Sequence, residues 1–403
     1  MFFSACIGGN VIMEICKKNL CAGCGACAEI CPKQCIVMKA DTEGFLKPVI
    51  DEQRCIKCKK CINICPSNQT YTERNRDYQT KAYSYIHPDK NLLGKSTSGG
   101  AFTALAEWII NKGGCVFGAV YDEEFYVKEV MAETMDELAA MRGSKYVECN
   151  TADSFKRAKK ALEDKRYVLY TGSPCQVAGL YATLGNADCS KLYTTELLCH
   201  GVPSTKLFQK YIEYLKEKYG EIIFYSFRDK KKWNWGCWGC FQYKKSNAIK
   251  RKNFVVASDY YYSLYFKENC FKESCYDCKY ASLPRLADIT IGDYWGIEKE
   301  KPHSEIKKGV SLILCNNLRG EELLQIIGGG LESADIECVK NQNLTIIQGT
   351  HRPDSRNEFY KDFERYGFLD TAKKYVKIHR VFPIVARYLP QNMKNIIKKI
   401  QKH

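Results

Sequence analysis

Residues 21–32 read CAGCGACAEICP and residues 55–66 read CIKCKKCINICP, and these two stretches decide how the first part of the chain folds. Both have the spacing C-x2-C-x2-C-x3-C-P, so they form an internal repeat. Between them, two short runs at residues 35–40 and 45–51 flank the turn at residues 41–44, which predicts a hairpin. The repeat and the hairpin together predict a separate domain over residues 13–68.

The repeat spacing is typical of bacterial ferredoxins with two 4Fe-4S clusters, because three thiolates on one loop wrap one cube and the fourth completes the other. The spacing assigns Cys21, Cys24, Cys27 and Cys65 to the first cluster and Cys31, Cys55, Cys58 and Cys61 to the second. Two structural zinc sites are the alternative, since four thiolates also suit zinc. Zinc sites usually combine C-x2-C pairs, so runs of four cysteines ending in proline favour iron-sulfur clusters. Three cysteines outside the pattern are expected to be buried or incidental thiols: Cys6, Cys16 and Cys35.

The composition is that of a globular protein. The chain has 403 residues, of which 45% are hydrophobic and 23 are cysteine. Its length predicts two or three domains of about 100 to 200 residues each. The first residues lack the basic segment of a secretory signal, and no apolar run reaches the roughly 20 residues of a membrane span. We therefore expect a cytoplasmic protein, in which clustered cysteines bind metal or carry out redox chemistry more often than they form disulfides.

The net charge of +15 is concentrated at the C-terminal end, where residues 372–403 contain nine lysines or arginines and no acidic residue. No nucleic-acid-binding motif accompanies this charge, so we do not expect nucleic acid as a partner. Residues 351–403 are predicted to form a helical basic extension. It either contacts an anionic membrane surface or caps the domain as a solvated helix, and the second interpretation is favoured.

Residues 79–350 alternate between helical and extended patterns, which predicts a mixed α/β domain. Helices are predicted over residues 101–111, 152–163, 205–219 and 320–327. Strands are predicted over residues 116–120, 167–171, 194–198, 222–227 and 310–315. Residues 239–243 and 253–256 should pair as an antiparallel addition to a mixed sheet. The fold class of the whole chain is therefore α+β / α/β: a ferredoxin-like domain, a mixed α/β domain and a helical tail.

The larger domain contains a third set of cysteines in distinctive local sequence: Cys175, Cys199, Cys275 and Cys278. The first two follow strands, and α/β sheets usually place ligand sites at the carboxyl ends of strands. One C-x2-C pair with two single thiolates suits a further cluster, but spacing alone leaves ordinary buried cysteines open. Cys237 and Cys240 fit either a thiol or metal site or one edge of a hairpin, which is favoured, and Cys270 has no assigned role.

The residues Ser98, Gly99 and Gly100 open directly into the helix predicted over residues 101–111. Backbone N–H groups at such a start, together with the helix dipole, hold phosphate groups in many proteins. The alternative is an ordinary helix start capped by Ser98. The sequence leaves both interpretations open.

Six motifs of the chain occur in the order of one known family. They are SGG at 98–100, RGSKYVEC at 142–149, GSPCQ at 172–176, LLCHGVPS at 197–204, SCYDCKY at 274–280 and ADITIGDYWG at 287–296. In these motifs the chain resembles the beta subunits of coenzyme F-420 (deazaflavin)-dependent hydrogenases and dehydrogenases, many of which carry a fused double-cluster segment. The resemblance extends over nearly the whole chain except the tail.

This resemblance implies that the larger domain binds FAD beside a third 4Fe-4S cluster. The family's cluster ligands fall on Cys175, Cys199, Cys275 and Cys278. The resemblance places Ser98, Gly99 and Gly100 at the FAD diphosphate or close to the flavin, and it makes Lys145 and Gln176 further candidates for the flavin pocket. For Lys145, a solvated surface charge is the alternative.

The resemblance also implies an iron-sulfur flavoprotein oxidoreductase. Electrons would pass between a two-electron donor or acceptor, FAD and the clusters, with a redox partner protein or a small molecule as the donor. No residue shows that the donor is deazaflavin. Similar fused proteins are often encoded beside polysaccharide-assembly enzymes, so that context is a further expectation. The alternative is a non-catalytic electron carrier or assembly component whose larger domain binds a partner.

Overall fold

The computed structural model describes residues 13–69, 74–246, 248–302 and 306–379. The helices are α1 (Ala26–Glu29), α2 (Lys60–Asn63), α3 (Lys90–Lys95), α4 (Ala101–Asn111), α5 (Met135–Met141), α6 (Ser154–Glu163), α7 (Pro174–Leu184), α8 (Thr205–Tyr219), α9 (Tyr260–Lys267), α10 (Glu273–Tyr276), α11 (Leu318–Ile327), α12 (Ile336–Gln342) and α13 (Arg356–Tyr375). The strands are β1 (Ile36–Ala40), β2 (Leu46–Ile50), β3 (Lys81–Tyr85), β4 (Cys115–Tyr121), β5 (Val127–Ala132), β6 (Val168–Gly172), β7 (Leu192–Leu197), β8 (Glu221–Ser226), β9 (Trp238–Lys245), β10 (Ala248–Val255), β11 (Ile289–Asp293), β12 (Ser311–Cys315) and β13 (Leu331–Ala334). Within the described ranges, no helix has both the length and the apolar character needed to cross a membrane.

The first domain is built from the two cysteine runs and the hairpin between them. A short helix, α1 or α2, lies within each run, and β1 pairs with β2 in the antiparallel register Ile36↔Ile50. Cysteine side chains make up most of its core, with a few apolar residues such as Ile15 beside them. So small an apolar core rarely stabilises a domain without bound metal or another covalent constraint. The predicted hairpin is confirmed.

The larger domain is organised around an eight-stranded mixed sheet with the strand order β13-β3-β12-β11-β7-β6-β4-β5. Strands β4, β6, β7 and β11 run parallel to one another. Helices α4, α5 and α11 pack on one face, whereas α6 and α7 pack on the other face together with α1 of the first domain. The carboxyl ends of the parallel strands share one edge, which is where ligands bind in such sheets.

A second, three-stranded antiparallel sheet has the order β10-β9-β8 and packs against α8, α9 and α13. The predicted pairing of residues 239–243 with 253–256 is confirmed by the register Gly239↔Phe254. The expectation that this pair adds to the main sheet is wrong, because β9 uses its other edge to pair with β8. Cys240 lies buried in this hairpin with Cys237 just before it, and Cys270 is buried in the adjoining core.

Except for β10, which already begins at Ala248, the helices and strands predicted from the pattern agree with the structure to within two residues at each end. The expected cap of α4 by Ser98 is wrong, because Gly100 is the residue before the helix and makes no side-chain cap. The Ser98 hydroxyl instead donates to the carbonyl of Val310 (2.7 Å). In the C-terminal extension, α13 is interrupted at Gly367. Residues 380–403, which carry most of the basic tail, lie outside the described residues.

Candidate functional site

The first domain is joined to the larger one through a buried ion pair. Lys272 is 1% exposed, and its ammonium group donates to the carbonyl of Ala22 (2.8 Å) and to the carboxylate of Glu148. The same carboxylate accepts the backbone N–H of Leu46 (2.9 Å). Both charges are therefore paired and hydrogen-bonded, as a buried ion pair requires. The sequence did not suggest this pair, because 124 residues separate its members.

Glycine allows the first cysteine loop to lie against this pair. Gly23 has a φ of +72°, and a Cβ at that position would lie 2.8 Å from the carbonyl oxygen of Leu46. A larger residue would therefore push the loop away from the larger domain.

The hairpin of the first domain makes a second connection. Phe45 enters the core of the larger domain and contacts Tyr360, with the ring centroids 5.8 Å apart. Beside it, the guanidinium group of Arg356 donates to both carboxylate oxygens of Glu43, at 2.7 and 2.6 Å. Two separate sets of contacts thus hold the first domain against the larger one.

The first cluster set lies at this interface. A Cβ added to Gly179 in α7 would lie 3.3 Å from the Cβ of Cys24, so this predicted ligand packs directly on the helix. Burial, and then the neighbouring thiols of Cys27 and Cys175, raise the pKa of Cys24 well above its ordinary value. Cys24 of the first set is therefore a neighbour of Cys175 of the third set.

The third set is assembled from four separate positions around the edge of the main sheet. Cys175 is the second residue of α7, directly after β6, and Cys199 follows β7. Cys275 lies in α10 and Cys278 lies two residues after that helix ends. Burial raises the pKa of Cys199 well above its ordinary value, and the nearby thiols of Cys275 and Cys175 raise it further. The positive charge of Lys272 acts on Cys175 and Cys275 and offsets only part of this repulsion. Four half-buried thiols so close together would gain further from positively charged iron.

The second set is surrounded by residues of the first domain. Its four cysteines, Cys31, Cys55, Cys58 and Cys61, line one small cavity, and Cys58 is exposed. Two of the off-pattern cysteines lie beside predicted ligands. The sulfur atoms of Cys35 and Cys31 are 3.4 Å apart, and Cys16 hydrogen-bonds to Cys21 and Cys65. Cys6 lies outside the described residues.

A tetrahedral zinc site places four ligands at about 2.0 to 2.3 Å from one point. In the parts of the chain that the structure describes, no three His, Cys, Asp or Glu side chains are gathered in this way around a single ion.

All four cysteines of the third set, and Cys24 of the first, line one cavity of about 540 Å³. Cavities of roughly 300 to 1,000 Å³ are usual for cofactors and small ligands. Its wall also includes two buried polar atoms with no partner among the described residues, Glu129 Oε1 and Thr171 Oγ1. Burial raises the pKa of Glu129 to about 8, so near neutral pH its carboxyl group still carries a proton that it can donate. A large polar cofactor therefore fits this wall.

Of the five residues predicted for the flavin pocket, four line this cavity: Ser98, Gly100, Lys145 and Gln176. Gly99 instead faces the backbone of β3 and β12, and a Cβ there would lie 3.0 Å from the carbonyl carbon of Val310. Close packing of the protein's own backbone is thus a sufficient reason for glycine at this position.

Lys145 and Gln176 both have partners within the protein. The Lys145 ammonium group donates to three carbonyl oxygens at the end of α5, at 3.0 to 3.3 Å, so the interpretation as a freely solvated charge is wrong. Gln176 Oε1 accepts the N–H of Ser173 (2.8 Å), which fixes the start of α7. Both side chains shape the cavity wall, and their contact with a flavin stays a prediction.

Comparison with known proteins matches two parts of the chain. Residues 20–69 match the 4Fe-4S dicluster domain, and residues 165–338 match the family described as the C terminus of the beta subunit of coenzyme F420 hydrogenase/dehydrogenase. The second match includes the third cysteine set and Gln176, whereas residues 98–100 and Lys145 precede it.

Three relatives share these parts. The chain is 24% identical over 237 residues to the F subunit of the F(420)H(2) dehydrogenase of Methanosarcina mazei, covering 55% of this chain and 66% of that protein. It is 28% identical over 173 residues to the coenzyme F420-dependent sulfite reductase of Methanocaldococcus jannaschii, covering 41% of this chain and 26% of that protein. It is 35% identical over 54 residues to a ferredoxin of the same organism, covering 13% of this chain and 69% of that protein.

The chain thus spans just under two thirds of the first relative and about a quarter of the second. The cysteine geometry and both matches nevertheless identify the same two units in the same order. Residues 165–338 of this chain therefore belong to the family described as the C terminus of the coenzyme F420 hydrogenase/dehydrogenase beta subunit, and residues 20–69, ahead of them, belong to the 4Fe-4S dicluster ferredoxin domain.

Proposed function

We propose that this chain is an iron-sulfur flavoprotein oxidoreductase that moves electrons between a two-electron carrier, FAD and three 4Fe-4S clusters. The observation that carries the proposal is the single cavity lined by the third cysteine set and by Cys24 of the first set. A cofactor bound there would contact one cluster and lie close to the next. The match of residues 165–338 to a family of hydrogenase and dehydrogenase subunits agrees with a redox role.

The cavity wall supports FAD as the cofactor. When bound, FAD takes up electrons in pairs and releases them singly, as one-electron clusters require. The N-terminus of α4 opens at Gly100 without a side-chain cap, so its N–H groups and dipole would hold the diphosphate. Glu129 and Thr171 would supply hydrogen bonds to the polar edge of the ring.

Residues of the chain also prepare the surroundings of the clusters. The buried Lys272 ammonium group is close to Cys21 and Cys275, so it stabilises the negative charge of the first and third sets together. The Ser173 hydroxyl donates to Gln176 Oε1 (2.8 Å) and lies 3.2 Å from Cys175 Sγ. If its proton turned to the sulfur when a cluster is bound, that hydrogen bond would raise the reduction potential of the cluster.

Coenzyme F420 is our proposal for the two-electron carrier, because the first two relatives are named for it. A partner protein is proposed as well, because the first of them is named as one of several subunits. The direction of electron flow and a polysaccharide-assembly context stay predictions.

The test is purification of the full chain without oxygen, followed by mixing with reduced F420, NADH, NADPH or reduced ferredoxin. We expect flavin to be released on denaturation, and at least one two-electron donor to bleach the iron-sulfur absorbance. Protein with filled clusters but no flavin, reduced by none of the two-electron donors, would instead be a one-electron carrier.

A further inference from the structure

The two cysteine loops of the repeat differ in the residues between their ligands. Residues 21–27 read CAGCGAC, whereas residues 55–61 read CIKCKKC. Every small residue of the first loop is therefore replaced in the second by a larger one: Ile56, Lys57, Lys59 and Lys60. The first loop is largely covered by the larger domain, but these four side chains are exposed, Ile56 by 57%.

Lys57 and Lys59 occupy backbone positions that favour glycine. Their φ angles are +53° and +58°, in the left-handed region that a Cβ disfavours. The matching residues of the first loop are Gly23 and Gly25, with φ angles of +72° and +80°. Cluster binding alone would be served at least as well by glycine in both loops. The two lysines therefore indicate a use for their charge.

The stretch that carries these lysines contains no acidic residue. Residues 53–60 contain Arg54 and the three lysines but no carboxylate, since Asp51 and Glu52 come before them. Within the described part of the chain, none of the three lysines has an ion-pair partner. Because Cys58 is exposed in the same loop, the second cluster would lie directly beneath a positive surface with an apolar centre at Ile56.

We infer that residues 53–60 are the docking surface for an acidic protein that carries one electron at a time. Charge of one sign around an electron-exchange site speeds the association of an oppositely charged partner. An apolar centre within a polar rim is the usual composition of such an interface, and interfaces between redox proteins are small. One electron leaves the reduced second cluster, which is oxidised, and reduces the partner by one electron; no bond forms between the two proteins, and any proton that the reduced partner takes up comes from water. The inference rests on the proposed function, since it needs a filled second cluster.

The test gives the second loop the residues of the first: Lys57→Gly, Lys59→Gly and Lys60→Ala in the full chain. Because the first loop holds its ligands with these residues, the variant should assemble its clusters. The matched control, Lys244→Ala, Lys245→Ala and Lys250→Ala, removes three exposed lysines from β9 and β10. Each reduced protein is mixed with an oxidised acidic flavodoxin in a stopped-flow instrument, and semiquinone formation is followed at several salt concentrations.

We expect the second-order rate constant of the loop variant to fall about 10-fold or more at low salt, and its salt dependence to flatten. The control should stay within about two-fold of wild type, because its charges belong to the three-stranded sheet of the larger domain and do not line the cavity of the second set. Reoxidation by a small neutral quinone should be equal in all three proteins. Equal rates with flavodoxin for wild type and loop variant at every salt concentration would overturn the inference.

The iron content and the EPR spectrum of each reduced protein distinguish a failure of the proposed oxidoreductase function from a failure of the docking surface. If wild-type protein contains no cluster iron, the proposed function is refuted. If the clusters are filled and react with quinone, but the loop substitutions leave the rate with flavodoxin unchanged, only the docking surface is refuted. If the triple variant loses iron, the double variant Lys57→Gln with Lys60→Gln replaces it, because glutamine keeps a long side chain. Its rate constant with flavodoxin must then also be lower than that of wild type at low salt.

Discussion

At the scale of single residues, the function depends on which cysteines hold iron. Cys35 and Cys58 both line the cavity of the second set, but only Cys58 belongs to the repeat spacing. We predict that Cys35→Ala retains all its iron, whereas Cys58→Ala loses about four iron atoms and four labile sulfides per chain. Chemical analysis after anaerobic purification measures both. Iron lost from the Cys35 variant and kept in the Cys58 variant would reverse the ligand assignment.

The buried pair of Lys272 and Glu148 leads to a second prediction. Lys272→Met leaves the Glu148 carboxylate buried without its charge partner, which should lower the free energy of unfolding by about 3 to 5 kcal/mol. Urea unfolding monitored by circular dichroism measures the change. The exposed Lys250→Met is the control and should stay within about 0.5 kcal/mol of wild type. If the double variant Lys272→Met with Glu148→Leu recovers no stability, the unpaired carboxylate is not the cause.

The raised pKa of Glu129 leads to a prediction of how the free energy of unfolding depends on pH. Burial raises its pKa from 4.5 to about 8, although Tyr170 donates a hydrogen bond to it (2.6 Å). Between these two values the folded state holds a proton that the unfolded state has lost. The contribution of Glu129 to stability should therefore fall by about 1.4 kcal/mol for each unit of increasing pH in that window. The difference in unfolding free energy between wild type and Glu129→Gln, measured from pH 5 to 8, should show this slope. A constant difference would contradict it.

The cysteine spacing of the first domain is local, so a ligand assignment can be predicted for it from the sequence. Burial of Lys272, Glu148 and Glu129 could not be predicted in the same way. Each is an ordinary charged residue in the sequence, and it becomes unusual only when distant segments cover it.

At the scale of elements, α4 and α8 could be predicted to the residue, because their apolar residues recur with helical period between clear ends. Helix α7 was missed although its first residues were recognised as a motif. Pro174 occupies the first turn, where a missing N–H group does no harm, and Ser173 and Gln176 form a capping box before a largely buried helix.

Phe45 anchors the hairpin β1–β2 in the larger domain, so its truncation should destabilise the protein. Phe45 is 1% exposed, whereas Val37 in the same hairpin is 55% exposed. Phe45→Ala should lower the free energy of unfolding by about 3 to 5 kcal/mol and make the first domain easier to cleave by protease. Val37→Ala is the control and should change stability by about 0.5 kcal/mol or less. Equal effects of the two variants would show that the hairpin is not anchored there.

At the scale of the whole molecule, the cysteine sets form a sequence of neighbours. The third set lines the cavity, Cys24 of the first set packs on α7 beside it, and Cys58 of the second set is exposed within residues 53–60. The sequence pattern could not predict this arrangement. The contacts that produce it join residues far apart in the chain, such as Glu43 with Arg356.

The most direct test of three clusters in one chain is the iron and labile sulfide content of wild type and Cys199→Ala, both purified without oxygen. Each 4Fe-4S cluster contributes four of each atom, so wild type should contain about 12 of each per chain and the variant about 8. The variant should retain the EPR signals of the two clusters in the first domain. About eight iron atoms in both proteins, or zinc in place of iron and sulfide, would contradict the account.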